Sequence, residues 1–191
     1  MDSRIKFILV AGLLFLAGGG HSRASLLGTS VTGSLQFLGN PLNYFSPANG
    51  SVPPTGYLNS SGTTVTIAEP AIEFGAVFPA NTDTANFTAT QLIVTDIVNS
   101  TGTNIPFTMT FTDAGFSGLV LSKLSDTFVN GGMAAALAGD ILTLTWAGGP
   151  VNPGSLQAVY SLTTSSVPEP SSWMLLIAGA AAFLCFRARR A

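Results

Sequence analysis

Cysteine, histidine and charge are what this chain has least of. It holds one cysteine, Cys185, and one histidine, His21, in 191 residues, and only 8% of its residues are charged, against roughly a quarter in an average soluble protein. A lone cysteine excludes an intramolecular disulfide. An oxidising destination permits disulfides without requiring them, so cysteine usage neither supports nor opposes export. The chain is too short for a second full domain once two short end segments are set aside. The mean hydropathy of +0.47 means that some of it must be kept from water.

Basic residues are almost absent from the middle of the chain. Arg4, Lys6 and Arg23 stand near the front and Arg187, Arg189 and Arg190 near the back, which leaves Lys123 as the only base between Ser25 and Ser166. Seven acids share that stretch: Glu69, Glu73, Asp83, Asp96, Asp113, Asp126 and Asp140. The balance predicts an acidic surface that repels polyphosphate, which makes nucleic acid an unsuitable partner.

The front of the chain has the three parts of a secretory signal peptide. A basic start at Arg4 and Lys6 precedes an apolar run from Phe7 to Ala17, and Ser22-Arg23-Ala24 supplies small residues at the exit. The run is short for a bilayer span. The reading is a signal peptide over residues 1–24, delivered to the Sec translocon and cut by signal peptidase between Ala24 and Ser25, the alternative being an uncleaved anchor. His21 would leave with it, so the mature chain would hold no histidine.

The back reads Val167-Pro168-Glu169-Pro170, then Ser171-Ser172-Trp173, an apolar run from Met174 to Phe186, and Arg187-Ala188-Arg189-Arg190. The two prolines hold the segment extended and separate it from what precedes. Ser171 and Ser172 suit the cap of a helix over 173–186, Trp173 suits the headgroup level, and the arginines belong on the cytoplasmic side of the inner membrane. The run falls short of the roughly 17 to 25 residues of a comfortable span.

Box, short apolar helix and closing arginines, in that order at the end of the chain, resemble the PEP-CTERM sorting tail of Gram-negative bacteria, which is also grouped under an ice-binding-protein C-terminal label. The resemblance implies a box at Val167, Pro168, Glu169 and Pro170 and a closing cluster at Arg187, Arg189 and Arg190. It implies an exosortase as partner, transient anchoring in the inner membrane, delivery to the cell surface or beyond, and an association with exopolysaccharide. An ordinary single-pass anchor with a proline linker is the plainer reading of the same residues.

Between the ends, residues 25–166 read as one all-β domain. Short runs rich in Thr, Val, Ile and Phe are broken by Gly, Pro and Asn. Strands are expected near 31–37, 63–68, 72–78, 87–94, 105–112, 119–124, 140–146 and 156–164. Phe107, Met109 and Phe111 alternate with Thr108, Thr110 and Thr112, one apolar and one polar face, as in an antiparallel β-sandwich of about eight strands. The alanines of 133–138 predict the one helical stretch, ended by Gly139. Residues 39–61, with four prolines, predict a long surface loop.

Chemistry is scarce in this domain. Without histidine or cysteine it has no Ser-His-Asp or Cys-His nucleophile and no zinc site of the usual ligands, and no phosphate-binding loop is present. The expectation is therefore no catalytic residue, no metal and no cofactor. Most of the acids lie beside turn-forming residues, which predicts turn and rim roles. Asp83, Asp113 or Asp126 offer hard oxygens for calcium, but no Asp-x-Asp-x-Asp-Gly loop accompanies them. Four Thr-x-Thr units, starting at Thr64, Thr88, Thr108 and Thr143, read as exposed strand faces, with an ice-ordering array as the alternative. The sequence thus points to a non-enzymatic surface or matrix protein. The alternatives are a secreted carbohydrate-active enzyme using two of the acids, or a carbohydrate-binding module with Tyr44, Phe45 and Tyr57 as its platform.

Overall fold

The computed structural model describes residues 25–164, and the leader, the Pro-Glu-Pro box, the apolar run and the arginine cluster lie outside them. Two five-stranded sheets carry the fold. The first runs β2 (Thr64–Thr66), β1 (Ser30–Phe37), β7 (Phe107–Thr112), β10 (Ile141–Trp146), β9 (Met133–Ala138). The second runs β3 (Phe74–Val77), β4 (Asn81–Phe87), β5 (Gln91–Val98), β12 (Gly154–Thr164), β8 (Leu119–Asp126). A two-stranded ribbon of β6 (Gly102–Asn104) and β11 (Gly149–Val151) completes the set, and every pairing is antiparallel.

Alternation along the strands builds one core from both sheets. Val31 and Leu35 of β1, Met109 and Phe111 of β7, and Leu142, Leu144 and Trp146 of β10 point inward from the first sheet. Phe74, Phe87, Leu92, Val94, Tyr160 and Leu162 meet them from the second. Phe111 lies 5.4 Å from Phe74 and 5.2 Å from Phe87, centroid to centroid. Such tilted and edge-on pairs add about 0.5–1.5 kcal/mol each beyond the area they bury. Two polar contacts also join the sheets, Tyr160 Oη donating to the Met133 carbonyl at 2.7 Å and Met133 N to Asp126 Oδ2 at 2.8 Å.

Three sequence expectations are corrected. Met133–Ala138 is strand β9, paired residue for residue with β10 from Ala138↔Ile141 to Met133↔Trp146. The helix preference of alanine is small, and a full ladder with a neighbouring strand outweighs it. Gly139, with φ of +63°, takes the first place of a two-residue hairpin turn instead of a helix cap. The run 87–94 is two strands, because Thr88 Oγ1 accepts from the Gln91 amide at 3.0 Å and closes a turn between β4 and β5 without glycine or proline. Strands therefore number twelve among the described residues, the additional ones being β4, β6, β9 and β11.

The long segment 39–61 has no strand, only two short 3-10 turns at Pro47–Asn49 and Leu58–Ser61, yet it is bound to the sheets throughout. Asn43 accepts from the Leu35 amide at 3.1 Å and donates to the Gly33 carbonyl at 3.1 Å, so its carboxamide occupies the edge of β1 beyond the end of β2. Asn59 is fully buried and bonds both backbone groups of Gly75 and the Phe45 carbonyl. Phe45 is in the core beside Phe74, and Tyr44 packs edge-on to Phe37 and Phe78. The Tyr57 ring covers Gly75 so closely that a side chain there would strike it. The three aromatics thus pin the segment down.

Both ends of the described chain leave from one end of the molecule. Leu26 is buried in the core and its amide donates to the Ala89 carbonyl at 2.9 Å, while the Leu162 amide donates to the Thr90 carbonyl at 2.8 Å. Both contacts fall on the β4–β5 turn. The opposite end holds Leu38, Phe78, Pro106 and the β6–β11 ribbon, as the antiparallel registers require.

Gly33 faces inward on β1, and a Cβ there would fall within the contact radius of the Phe74 ring of the other sheet. Gly33→Ala is predicted to destabilise the protein by about 1–3 kcal/mol through overpacking, read from the midpoint of a urea unfolding curve. An unchanged midpoint would show that the ring has room to move.

Candidate functional site

Only some of the acids take the turn and rim places that sequence reasoning expects, as exposed Glu69 and Asp140 do. Glu73, Asp83 and Asp96 are completely inaccessible and Asp113 nearly so. Among the described residues the exposed charges are Glu69, Lys123 and Asp140, and Lys123 pairs with half-buried Asp126 at 2.7 Å. The surface is thus close to uncharged rather than acidic, because the folded chain has withdrawn most of its carboxylates from water.

Most of the withdrawn groups have evident structural duties. Glu73 accepts from the amides of Ala68 at 3.0 Å and Phe87 at 2.7 Å, joining the β2–β3 connection to β4. Asp113 caps a 3-10 turn over Ala114–Phe116 by accepting from the Gly115 amide at 2.8 Å, and it bonds the Thr29 hydroxyl. Asp126 accepts from the amides of Phe128 and Met133 as well as from Lys123. Asp113 and Asp126 therefore have their oxygens engaged and are not brought together with Asp83.

Asp83 and Asp96 are different. They lie directly opposite each other on β4 and β5, a position in which neighbouring side chains are about 4.5–5.5 Å apart at Cβ. The period of two puts Asn81 on the same face as Asp83. Its Nδ2 donates to Asp83 Oδ2 at 3.0 Å and to Asp96 Oδ1 at 3.1 Å, so one amide group spans the two carboxyls. Asn104, reaching in from β6, donates to Asp96 Oδ2 at 2.7 Å. Asp83 Oδ1 is buried without a hydrogen-bond partner. Burial raises Asp83 well above the usual carboxylate range, and repulsion from Asp96 adds to it against the opposing bond from Asn81. Burial likewise raises Asp96, opposed by Asn81 and Asn104, and Glu73, opposed by its backbone bonds.

Asp96, Asn81 and Asn104 were not legible as a group from sequence. The only available signal was the Asn-x-Asp alternation of 81–83, which reads as a turn until the strand pairing is known. Both carboxyls are buried, whereas the glycoside hydrolase alternative calls for two acids that flank a bound sugar.

Three of the four Thr-x-Thr units do come together. On the outward face of the first sheet Thr64, Thr32 and Thr112 form one rank, Ser34, Thr110 and Thr143 a second, and Gln36, Thr108 and Thr145 a third. The outward positions of β9 next to them are Ala134, Ala136 and Ala138, so the whole face is without charge. The fourth unit, at Thr88, lies in the β4–β5 turn.

The chain then runs from the end of β12 at Thr164 toward the box, a few residues on. Residues 166–190 match a family model described as the PEP-CTERM protein-sorting motif. This chain carries a PEP-CTERM sorting tail. No curated protein and no solved structure shows a match to it. The matched span contains Val167, Pro168, Glu169 and Pro170, where the sequence places the box, and Arg187, Arg189 and Arg190, all outside the described residues. Ala24 also lies outside them, and Ser25 is the first residue described. Among the described residues no helix is long and apolar enough to cross a membrane.

The raised carboxyls fix the sign of a pH response. A group whose folded value is raised adds stability that is complete below its unfolded value, near pH 4, and is lost as pH rises through the folded one. With divalent cations chelated, the protein is predicted to melt at a higher temperature at pH 4.5 than at pH 8, by several degrees. Asp83→Asn, which keeps the shape and removes the charge, should raise the pH 8 value and flatten the slope. A profile that rises with pH in the chelated wild type would contradict the assignment of Asp83 as the dominant group.

Proposed function

We propose that the protein is exported by the Sec route, held briefly in the inner membrane by the helix over 173–186, and released by an exosortase to the cell surface, where it serves as a non-enzymatic structural or exopolysaccharide-associated component. The motif match at residues 166–190 carries this reading, since a PEP-CTERM tail marks a chain for exosortase-dependent sorting to the cell surface. The remaining steps rest on physical arguments. The Met174 to Phe186 run is too short for a comfortable permanent anchor, and Pro168 and Pro170 favour an extended segment that can enter an active site without unfolding its neighbours.

We read the two sheets as the layers of a β-sandwich, and its surface suits the matrix role. Polysaccharide association is supported by the outward face of the first sheet, whose Thr, Ser and Gln side chains can exchange hydrogen bonds with hydroxyls and whose lack of charge sets up little repulsion. The reading as a carbohydrate-binding module loses support, because Phe45 is buried and Tyr44 and Tyr57 pack against Phe78 and Gly75.

Glu169 is the charged group of the box, and recognition by charge would act through it. Glu169→Ala is expected to leave membrane insertion intact and to block release in an exosortase-bearing host, measured by fractionation and intact mass of the released form. Replacing Arg187, Arg189 and Arg190 together should disturb orientation first. Release of Glu169→Ala at the wild-type rate and size would reduce the box to a linker.

A further inference from the structure

We propose that Asp83 and Asp96 hold one divalent cation of the calcium type, with Asn81 and Asn104 supplying the remaining side-chain oxygens. The proposal does not rest on the sorting reading. It starts from geometry: the two carboxyls face each other across β4 and β5, and both reach the same Asn81 amide, so they converge on one point inside the protein. Neither is accessible to solvent.

The observation that asks for a ligand is Asp83 Oδ1, a buried acceptor with no donor. Leaving such an oxygen unpaired costs its full desolvation. Two adjacent buried carboxyls also need a positive charge, and this domain has none to give. Its one base, Lys123, pairs with Asp126 on β8. A charge that balances the pair must therefore arrive from outside, as a cation or as a proton.

The donor set selects the kind of cation. Two carboxyls and two carboxamides provide only hard oxygen ligands, since rotating a carboxamide by half a turn puts oxygen where nitrogen stood. Sulfur and imidazole, which zinc and copper favour, are absent, and a set of up to six oxygens suits calcium. Calcium sites of extracellular proteins bind with dissociation constants of about 0.1–1 mM, and a protein delivered to the cell surface meets calcium there. A cation here would tie β4, β5 and β6 together, fixing the β6–β11 ribbon at the end of the molecule away from both termini.

The test is calorimetry and thermal melting of the full chain in detergent at pH 7, with calcium chloride added after chelation. The expected result is one calcium bound per chain and a rise in melting temperature of about 5 °C or more at saturation. Asp83→Asn, which should still fold because it removes a buried charge and keeps the shape, is expected to lose both the binding heat and the rise. Asp96→Asn should do the same, whereas Asp140→Asn, in an exposed turn, should keep both. A wild-type melting temperature that calcium does not move would overturn the proposal and leave a proton as the balancing charge. An equal calcium response in Asp83→Asn would overturn it by placing the cation elsewhere.

Discussion

The fold turns on the phenylalanine contact between the sheets. Phe111 of β7 touches Phe45, Phe74 and Phe87, and these rings come from the long loop, the edge strand β3 and its neighbour β4. One side chain therefore joins the first sheet to three separate parts of the chain. Gly33 makes this possible, since an inward side chain at that place on β1 would occupy the space of the Phe74 ring. The long loop is held by the same contact, and with it the cover over the edges of β1 and β3. Without disulfides among the described residues, this aromatic packing and the carboxamides of half-buried Asn43 and buried Asn59 carry the cross-linking.

Alternation made the fold class legible, and the failures have identifiable causes. Strands β1, β7, β10 and β12 were visible because their inward residues are large and apolar and their outward ones are mostly Thr or Ser. β9 was hidden because alanine says nothing about a face, and only the ladder with β10 decides its state. β4 was hidden because its inward positions include Asn81 and Asp83, residues that favour turns when judged locally. The same substitution of polar for apolar residues at inward positions is what builds the carboxylate pair, so the strand that pattern reading missed is the one that carries the unusual chemistry. The tail was legible because its signal is linear and needs no tertiary structure.

Withdrawal of the acids changes what the surface can do. A chain with this ratio of acids to bases would ordinarily repel copies of itself and other anions. With Glu73, Asp83, Asp96 and Asp113 inside, few carboxylates remain at the surface to repel one another, and hydroxyls and alanines dominate the outward face of the first sheet. A surface of low charge gives up colloidal stability, which a freely diffusing protein needs more than one gathered in a matrix. Exposed Leu38, Leu42 and Ile105 near the far end add to the same tendency.

The placement of the ends links this surface to the sorting tail. β12 is paired on both sides, with β5 from Gly154↔Val98 to Ser161↔Gln91 and with β8 from Ala158↔Asp126 to Thr164↔Leu119. A pull on Thr164 along the strand would load the hydrogen bonds of both ladders together, rather than peeling them one at a time. Because Leu26 lies at the same end, in the core beside the β4–β5 turn, both ends of the described chain lie on one side of the domain and the carboxylate pair lies toward the other. β12 therefore fixes which end of the domain lies next to the matched segment 166–190.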